Sequence, residues 1–266
     1  MSSQSPGISI VTASFNQGAF IAEAIESVLA QGYCNIEHII VDNCSADNTP
    51  QVLARYPHLK VIREPDRGQS DALNKGFKAA TGDIIGWLNA DDKYLPGCFE
   101  HVVLAFRDQP DSDLIYGDYR FVDARGGLIR TRRELPFNHF MLKYLHVLYI
   151  PTTSMFFRRK IFADGNFLDM GYHYAMDYEF FLRLAERGYC FGHIPQLLAD
   201  FRWHSDSKSQ TQARRQRDEM ERALAERDPF LNRFTGFSKG FMRGLLMFFA
   251  RFLRYSQKLY RGAYWR

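Results

Sequence analysis

The segment GDIIGWLNADDKYLP, residues 82–96, gives the strongest indication of the fold. Its DIIGWL part is an apolar run with β-favouring side chains directly after a glycine, which predicts a short buried strand. The strand ends near Asp91 and Asp92, two adjacent carboxylates that cost free energy unless a positive or hydrogen-bonding group lies between them. Alternatively, the pair caps a helix that begins after Pro96.

Strand and helix patterns alternate before this segment and become less regular after it. Strands are predicted over 8–15, 36–43 and 59–64, and helices over 18–31, from about 47–50 onward, and over 70–81. Short connections between such elements predict an α/β fold with a mostly parallel sheet and ligands at the carboxyl ends of the strands. The later sequence predicts a hairpin turning at Gly126-Gly127, a helix over 178–187, and helices over 209–227 and 237–262.

Length and composition limit the class of protein. The chain has 266 residues, of which 46% are hydrophobic, and this suits one large α/β domain or such a domain with an extension. Its four cysteines form no CxxC pair, which argues against a zinc knuckle or a disulfide framework and fits a reducing cytosol. We expect no signal peptide and no bilayer-spanning segment.

The charge is distributed unevenly along the chain. No acidic residue follows Asp228, whereas eight basic ones do, so the net charge of +4 leaves about −4 on residues 1–228. We therefore predict a mildly acidic body over 1–228 and a basic tethering tail over 229–266. One helical face of the tail is apolar and the opposite face is basic, comprising respectively Phe237, Phe241, Leu245, Phe248, Phe252, Tyr255 and Leu259, and Lys239, Arg243, Arg254, Lys258 and Arg261.

This pattern is typical of a helix lying in an anionic membrane surface. The alternative is a helix docked on the protein's own body. A nucleic-acid partner is not expected, because basic residues alone are a weak signal and no recognition module is present.

Several common nucleotide and hydrolase motifs are missing. The chain has no GxGxxG or GxxxxGK[ST] segment after an early strand, and it has no HExxH or GxSxG segment. What remains are carboxylates at strand ends, the oxygen ligands that Mg²⁺ and Mn²⁺ prefer. The sequence therefore predicts that a divalent metal, rather than a glycine-rich loop, handles a diphosphate.

An ordered set of segments resembles one enzyme family. The segments are VTASFNQ (11–17), EHIIVDNCSADNT (37–49), DRGQSDALNKGFKAATGDIIGWLNADD (66–92), PTTSMFFRRKIF (151–162), MDYEFFLRLAERG (176–188) and FRWHSDSKS (201–209). Together they resemble the inverting nucleotide-sugar glycosyltransferases of the family-two type, over roughly residues 7–210. The resemblance implies a GT-A fold, which is Rossmann-like, followed here by a C-terminal amphipathic helical extension.

The resemblance also implies roles for individual residues. Asp42 is expected to bind the nucleobase, Asp91 the ribose, and Asp92 a divalent cation, Mn²⁺ or Mg²⁺, that bridges the diphosphate. His204 is expected to reach the metal or the diphosphate, with Arg202 beside it. The remaining residues expected to line the nucleotide-sugar site are Thr12, Ala13, Asn16, Asp71 and Asn74.

Asp177 matches the carboxylate that serves as general base in this family. Two departures are present: Met176 stands before it where relatives carry Glu, and Ala72-Leu73-Asn74 replaces an A-R-N segment. Simpler roles are open for several residues. Asp42 could only start a turn, Asp71 and Asn74 could only stabilise a helix, Asp177 could be an N-cap, and His204 could be a packed surface residue.

These observations predict a metal-dependent inverting glycosyltransferase with a nucleotide-sugar donor. A UDP-sugar is expected on family frequency alone, with a glycan or lipid-linked acceptor at the cytoplasmic face of a membrane. The alternatives are a nucleotidyltransferase, which would need a glycine-rich basic loop after the first strand, and a degenerate nucleotide- or glycan-binding module. The oligomeric state is left open.

Overall fold

The computed structural model describes residues 5–145, 148–204 and 212–260. The strands are β1 Ile8–Ser14, β2 Ile36–Asp42, β3 Lys60–Arg63, β4 Ile84–Trp87, β5 Lys93–Tyr94, β6 Leu114–Val122, β7 Leu128–Arg132, β8 Met155–Arg158 and β9 Phe191–Arg202. The helices are α1 Ile21–Leu29, α2 Thr49–Leu53, α3 Gln69–Ala79, α4 Cys98–Asp108, α5 His139–Tyr144, α6 Lys160–Ala163, α7 Met176–Glu186, α8 Ala213–Arg227 and α9 Gly236–Tyr260.

The strands form one sheet in the order β3-β2-β1-β4-β8-β6-β9-β5, and β7 pairs with β6 at the side of this path. Strands β3, β2, β1 and β4 are parallel, as predicted. Strand β8 runs antiparallel to both β4 and β6, so the second half of the sheet is mixed. Because Ser14 pairs with Asp42 and Asp42 with Arg63, the carboxyl ends of the first three strands meet at one edge.

Helices cover both faces of the sheet because the central strands are apolar on both sides. Side chains of α3 and α7, including Phe77 and Phe180, pack with Val11 and Trp87 in one cluster. Side chains of α1 and α4 pack with Ile10 in another. This arrangement confirms the predicted α/β class with flanking helices.

The hairpin predicted around Gly126-Gly127 is also confirmed. Strands β6 and β7 pair antiparallel, and Gly126 has a φ of +83°, a conformation that costs glycine little. The predicted helix over 209–227 is observed from Ala213, and its first residues lie in 205–211, outside the described residues.

In the described part of the tail, residues 229–260, a short 3-10 helix over Leu231–Arg233 precedes the α-helix α9, which packs on the body. Its partly or fully buried side chains Met242, Leu246, Ala250 and Leu253 join the core cluster that contains α7. The opposite, aromatic face is exposed, with Phe237, Phe241, Leu245, Phe248, Phe252, Tyr255 and Leu259 between 39% and 90% accessible. Within the described ranges, no helix has the length and apolar character to cross a bilayer.

The basic face of α9 is largely turned toward the body. Arg243 lies 2.7 Å from Glu221 and Arg254 lies 3.7 Å from Glu134, while Lys258 is buried. The sequence expectation that this face is available to lipid headgroups therefore needs correction, because acidic side chains of the body hold two of its cations. Arg261 lies outside the described residues.

Candidate active site

A cavity of about 610 Å³ opens at the carboxyl ends of β1, β2 and β4. Its wall is built from several elements, since it includes Ala13 near the end of β1, Asn16 after β1, Asn43 after β2 and Asp177 at the start of α7. Other lining residues include Phe15, Phe20, Asp66, Gln69, Trp87, Asn89, Asp91, Thr152, His173, Tyr174, Met176, Phe201, His204 and Gln216. Parallel α/β sheets commonly bind ligands at this edge.

Asp91 and His204 come together at this wall. Asp91 Oδ2 lies 3.0 Å from His204 Nε2, and the imidazole stands 4.9 Å from the ring of Phe20, centre to centre. The sequence separates these residues by more than a hundred positions, and the fold joins them because β9 ends beside the β4–β5 turn. One carboxylate and one imidazole suit Mn²⁺ or Mg²⁺ if phosphate oxygens and water complete the coordination.

No group of three or more His, Cys, Asp or Glu side chains is arranged to hold a metal among the residues that the structure describes. A site built on Asp91 and His204 would therefore depend on oxygens from the donor. This matches the way Mg²⁺ is usually held, by one or two carboxylates together with substrate phosphates.

Asp92, the residue expected to bind the metal, lies beneath the cavity instead. It is 1% exposed, and its two oxygens accept hydrogen bonds from the Arg202 backbone N–H (2.9 Å) and from Asn89 Nδ2 (2.8 Å). Burial, and then the neighbouring Asp91 carboxylate, raises the pKa of Asp92 to about 8. Of the two adjacent carboxylates, therefore, only Asp91 faces the cavity, and the expectation that Asp92 meets a ligand directly does not fit its burial.

Arg202 is likewise buried rather than directed at the cavity. Its guanidinium donates to the carbonyls of Asp91 (2.9 Å) and Ala124 (2.7 Å) and to Glu23 Oε2 (2.7 Å). A contact from Arg202 to a diphosphate, as the resemblance implied, does not fit these bonds. The arginine instead holds the turn that carries Asp91, and its positive charge offsets part of the repulsion between the two carboxylates.

The residues expected around the nucleobase are divided between the cavity wall and the layer behind it. Asp42 is fully buried and accepts hydrogen bonds from the backbone N–H and the hydroxyl of Ser45, which starts the turn after β2. Thr12 is also fully buried, with its Oγ1 lying 3.1 Å from Nε2 of His38. Ala13 and Asn16 line the cavity.

Asn16 has a φ of +54° and is tied to the turn after β2. Its N–H donates to Ser45 Oγ (2.8 Å), and its Oδ1 accepts from Ala46 N (3.0 Å). Asn tolerates this left-handed conformation better than most residues do. Hydrogen bonds thus join Asp42 to Ser45 and Ser45 to Asn16. Asp42 supports the cavity wall through these two residues without lining the cavity itself.

Asp71 and Asn74 lie on α3 outside the cavity lining. Asp71 accepts a hydrogen bond from the Arg67 backbone N–H (3.0 Å), which fixes the loop before the helix. Asn74 Nδ2 donates to Leu168 O (2.9 Å) and Asn74 Oδ1 accepts from Leu168 N (2.8 Å). The simpler interpretation, that both residues stabilise local structure, fits these contacts better than nucleotide binding.

Asp177 is the second residue of α7 and lines the cavity. The N-cap is Ala175, so Asp177 is not the cap, and its Oδ1 accepts a hydrogen bond from the Tyr178 N–H at 2.8 Å. A carboxylate in the first turn of a helix interacts favourably with the helix dipole. An ionised carboxylate facing a cavity can accept a proton, which is the property required of a general base.

Several lining residues were not identified from the sequence. Asn89 could have been, since it stands in the same strand-end segment as Asp91, and its Oδ1 accepts from Trp87 Nε1 (3.1 Å) and Gln69 Nε2 (3.2 Å). His173, Tyr174 and Gln216 gave no local signal. They reach the cavity only because α8 packs along the loop before α7.

Comparison with known proteins identifies related sequences. The model of the family described as "Glycosyl transferase family 2" matches residues 9–165. An uncharacterised glycosyltransferase of Mycobacterium tuberculosis is 33% identical over 185 residues, covering 68% of this chain and 69% of the relative. The O-antigen biosynthesis protein RfbC of Myxococcus xanthus is 31% identical over 205 residues, covering 74% of this chain but 16% of the relative.

Other relatives are also longer than this chain. It spans 31% of an uncharacterised glycosyltransferase of Rickettsia felis and 33% of one from Nostoc, so activities of those whole proteins do not transfer directly.

Solved structures share the GT-A fold. The mannosyltransferase PcManGT from Pyrobaculum calidifontis, in complex with GDP-Man and Mn²⁺, superposes with a TM-score of 0.65 at 18% identity, over 85% of this chain and 66% of that one. S. aureus TarS 1–349, in complex with UDP-GlcNAc, gives 0.63 at 17% identity, over 83% and 66%.

Proposed function

The chain belongs to glycosyl transferase family 2, and from this premise we propose that it moves a sugar from a nucleoside-diphosphate donor to a hydroxyl group with inversion at the anomeric carbon. The acceptor in this proposal is a glycan or a lipid-linked sugar. The observation that carries the proposal is one cavity that brings the Asp91–His204 pair and the Asp177 carboxylate to a common space. In this proposal the diphosphate binds beside Asp91 and His204, and Asp177 acts as the base from another part of the same cavity wall.

The proposed donor is a UDP-sugar. Solved proteins with the same fold carry UDP-GlcNAc in one case and GDP-Man in another, so the fold itself accepts either base. Ala13, Asn16 and Asn43 form the wall at the ends of β1 and β2, where the resemblance puts the nucleoside.

Asp91 and His204 would hold a divalent cation at the diphosphate. When bound, such a cation stabilises the negative charge that develops on the departing diphosphate. Arg202 supports this arrangement from beneath through the Asp91 carbonyl, and Asn89 supports it from the cavity wall through the Asp92 carboxylate.

Asp177 is the proposed base. Its carboxylate takes the proton from the acceptor hydroxyl while that oxygen bonds to the anomeric carbon, and the bond from that carbon to the diphosphate oxygen breaks on the opposite side. Retention of a carboxylate at this position also argues against a degenerate binding module.

We further propose that α9 holds the enzyme on the cytoplasmic face of a membrane. An exposed row of aromatic side chains is unusual for a monomeric surface, and apolar patches of this kind mark interaction sites. Although body acids hold Arg243 and Arg254, the segment from 229 onward carries no acidic residue and leaves Arg233 and Arg251 exposed, which favours an anionic lipid surface. The division into a body over 1–228 and a tail over 229–266 is part of this proposal.

The donor proposal is tested by thermal shift with UDP, GDP, CMP and dTDP, each with and without Mn²⁺. A ligand at about 100 times its Kd adds roughly 2.7 kcal/mol of stability. We expect UDP to give the largest shift, and we expect Mn²⁺ to increase it in the wild type and in an Asp111→Asn control but not in Asp91→Asn. A full Mn²⁺ enhancement in Asp91→Asn would refute the metal assignment, and the absence of any nucleoside diphosphate shift would refute the donor class.

A further inference from the structure

The loop over 171–175 forms the wall of the cavity immediately before α7. His173 and Tyr174 line the cavity from this loop, and Asp177 follows two residues after it. The loop has no regular secondary structure, so the helix geometry alone does not fix its backbone. What holds it determines where the Asp177 carboxylate points.

One carboxylate on α8 accepts hydrogen bonds from several backbone N–H groups of this loop. Glu219 Oε2 accepts hydrogen bonds from the N–H groups of His173 (3.0 Å), Tyr174 (2.7 Å) and Ala175 (2.8 Å). Glu219 Oε1 lies 3.1 Å from the first of these nitrogens as well. Three successive amides on one anion make a set of charge-assisted bonds, which are stronger and more directional than neutral ones.

Glu219 also completes the start of α7. The N-cap residue, Ala175, has no side chain that can accept a hydrogen bond. Helix N-termini leave amide groups without partners in the helix, and a negative charge nearby is favourable. A residue of α8 therefore supplies the anion that the sequence of α7 lacks at its cap position.

The same face of α8 contacts the loop along its length. One turn before Glu219, Arg215 Nη1 donates to the Tyr174 hydroxyl (3.0 Å), and one turn after it, Arg222 Nη2 donates to Gly171 O (2.6 Å). Arg222 also stands 4.0 Å from the centre of the Tyr172 ring, whose hydroxyl donates to Glu226 (2.8 Å). Gln216, on the same helix, lines the cavity.

We propose that Glu219 is a positioning residue for the transfer reaction: by fixing residues 173–175 it sets the direction of the Asp177 carboxylate and the shape of the acceptor side of the cavity. This inference rests on the proposed base role of Asp177. Glu219 does not line the cavity, so its effect passes through the loop. A displacement of about 1 Å in a reacting group can cost on the order of 10²-fold in rate.

The test uses Glu219→Ala and Glu219→Gln in the full chain. The reaction is release of nucleoside diphosphate from UDP-GlcNAc and GDP-Man with Mn²⁺, where water replaces the acceptor. For Glu219→Ala we expect kcat to fall by about 10- to 100-fold. The KM for the donor and the Kd for the nucleotide should stay near the wild-type values. Glu219→Gln keeps an acceptor oxygen, so its kcat should lie between those of the wild type and Glu219→Ala.

Glu221→Ala is the matched control, since Glu221 lies on the same helix and pairs with Arg243 of α9 rather than with the loop. It should keep the wild-type rate. The decisive comparison adds Glu219→Ala to Asp177→Asn: if Glu219 acts through the base, the second substitution causes little further loss, because coupled residues are not additive.

Three results would overturn the positioning role. The first is that Glu219→Ala lowers kcat by the same factor in Asp177→Asn as in the wild type. The others are an unchanged kcat in Glu219→Ala, or a fall in its nucleotide affinity as large as the fall in kcat. These outcomes differ from failure of the proposed function. That failure would show as wild-type protein releasing no nucleotide, or as Asp177→Asn keeping the wild-type rate.

Discussion

Replacing Asn74 separates the structural role of this residue from the nucleotide role that the family resemblance implies. Asn74 is 7% exposed and Leu168 is 3% exposed, and two hydrogen bonds of 2.9 and 2.8 Å join the amide side chain to the backbone of Leu168. Each bond contributes about 1 kcal/mol, and each buried group left unpaired costs about 1–3 kcal/mol. Asn74→Ala leaves both Leu168 groups unpaired and should therefore lower the free energy of unfolding by about 2–6 kcal/mol.

Two further variants sharpen this prediction. Asn74→Asp keeps the acceptor for Leu168 N but, when ionised, has no N–H for Leu168 O, so it should be about as destabilised near neutral pH and should recover partly on acidification. Asn35→Ala removes an exposed amide that donates to Ser5 O, and it should cost less than about 1 kcal/mol.

The assays are urea denaturation and titration of nucleotide with Mn²⁺. We expect the nucleotide Kd to stay unchanged in Asn74→Ala, because Asn74 does not line the cavity. A variant of normal stability with at least about tenfold weaker nucleotide binding, or about 1.4 kcal/mol, would refute the reasoning and restore the role implied by the resemblance.

Two other predictions follow from buried histidine and exposed aromatic side chains. Burial lowers the pKa of His38 to about 3, below its usual 6.5, so the unfolded chain takes up a proton that the folded protein does not, and stability falls as the pH drops below about 6.5. Between about pH 7 and pH 5 this one group should remove about 2 kcal/mol, a loss that urea denaturation should find in the wild type and not in His38→Asn; equal pH slopes would contradict it. In the second, replacing Phe241, Phe248 and Phe252 with Ser should abolish sedimentation with phosphatidylglycerol-containing vesicles while the melting temperature is kept, since these side chains are 58–64% exposed. Equal sedimentation of the variant and the wild type would rule out the aromatic face of α9 as the membrane contact.

The sequence predicted the first half of the fold well because its strands are continuous apolar runs and its helices are amphipathic. The hairpin was predicted from the Gly126-Gly127 pair, which marks a turn between two strand-like segments. The mixed half of the sheet was not: β8 lies between β4 and β6, far from its neighbours in sequence, and nothing local in a four-residue strand specifies those partners.

Only part of the site was predicted from the sequence, because residues such as Asp92, Arg202 and Asn74 lie outside the cavity lining. Asp91, His204 and Asp177 were identified and do line one cavity. The sequence could not show which of the adjacent residues Asp91 and Asp92 is buried. That depends on the pairing of β5 with β9, which is distant in the sequence. The sequence did not indicate a role for Glu219. A glutamate on a polar helix looks like any other exposed residue until the fold brings the backbone amides of a distant loop beside it.

The α9 helix illustrates a related limit. Its apolar and basic faces were evident from periodicity, but the sequence could not tell which face meets the body. Glu221 and Glu134 of the body attract the basic side, and aliphatic side chains such as Leu246 and Leu253 fill the contact.

The central claim is that this chain transfers a sugar from a nucleoside-diphosphate donor with Asp177 as the base. The most direct measurement compares nucleoside diphosphate release by the wild type, Asp177→Asn and an exposed-site control, Asp108→Asn, with UDP-GlcNAc and GDP-Man in the presence of Mn²⁺. Asn at this position can still accept the hydrogen bond from Tyr178 N, so the fold should be kept. We predict release by the wild type and the control, and a rate lower by about 10²–10⁴-fold in Asp177→Asn at unchanged nucleotide affinity. Near-normal release by folded Asp177→Asn would contradict the account.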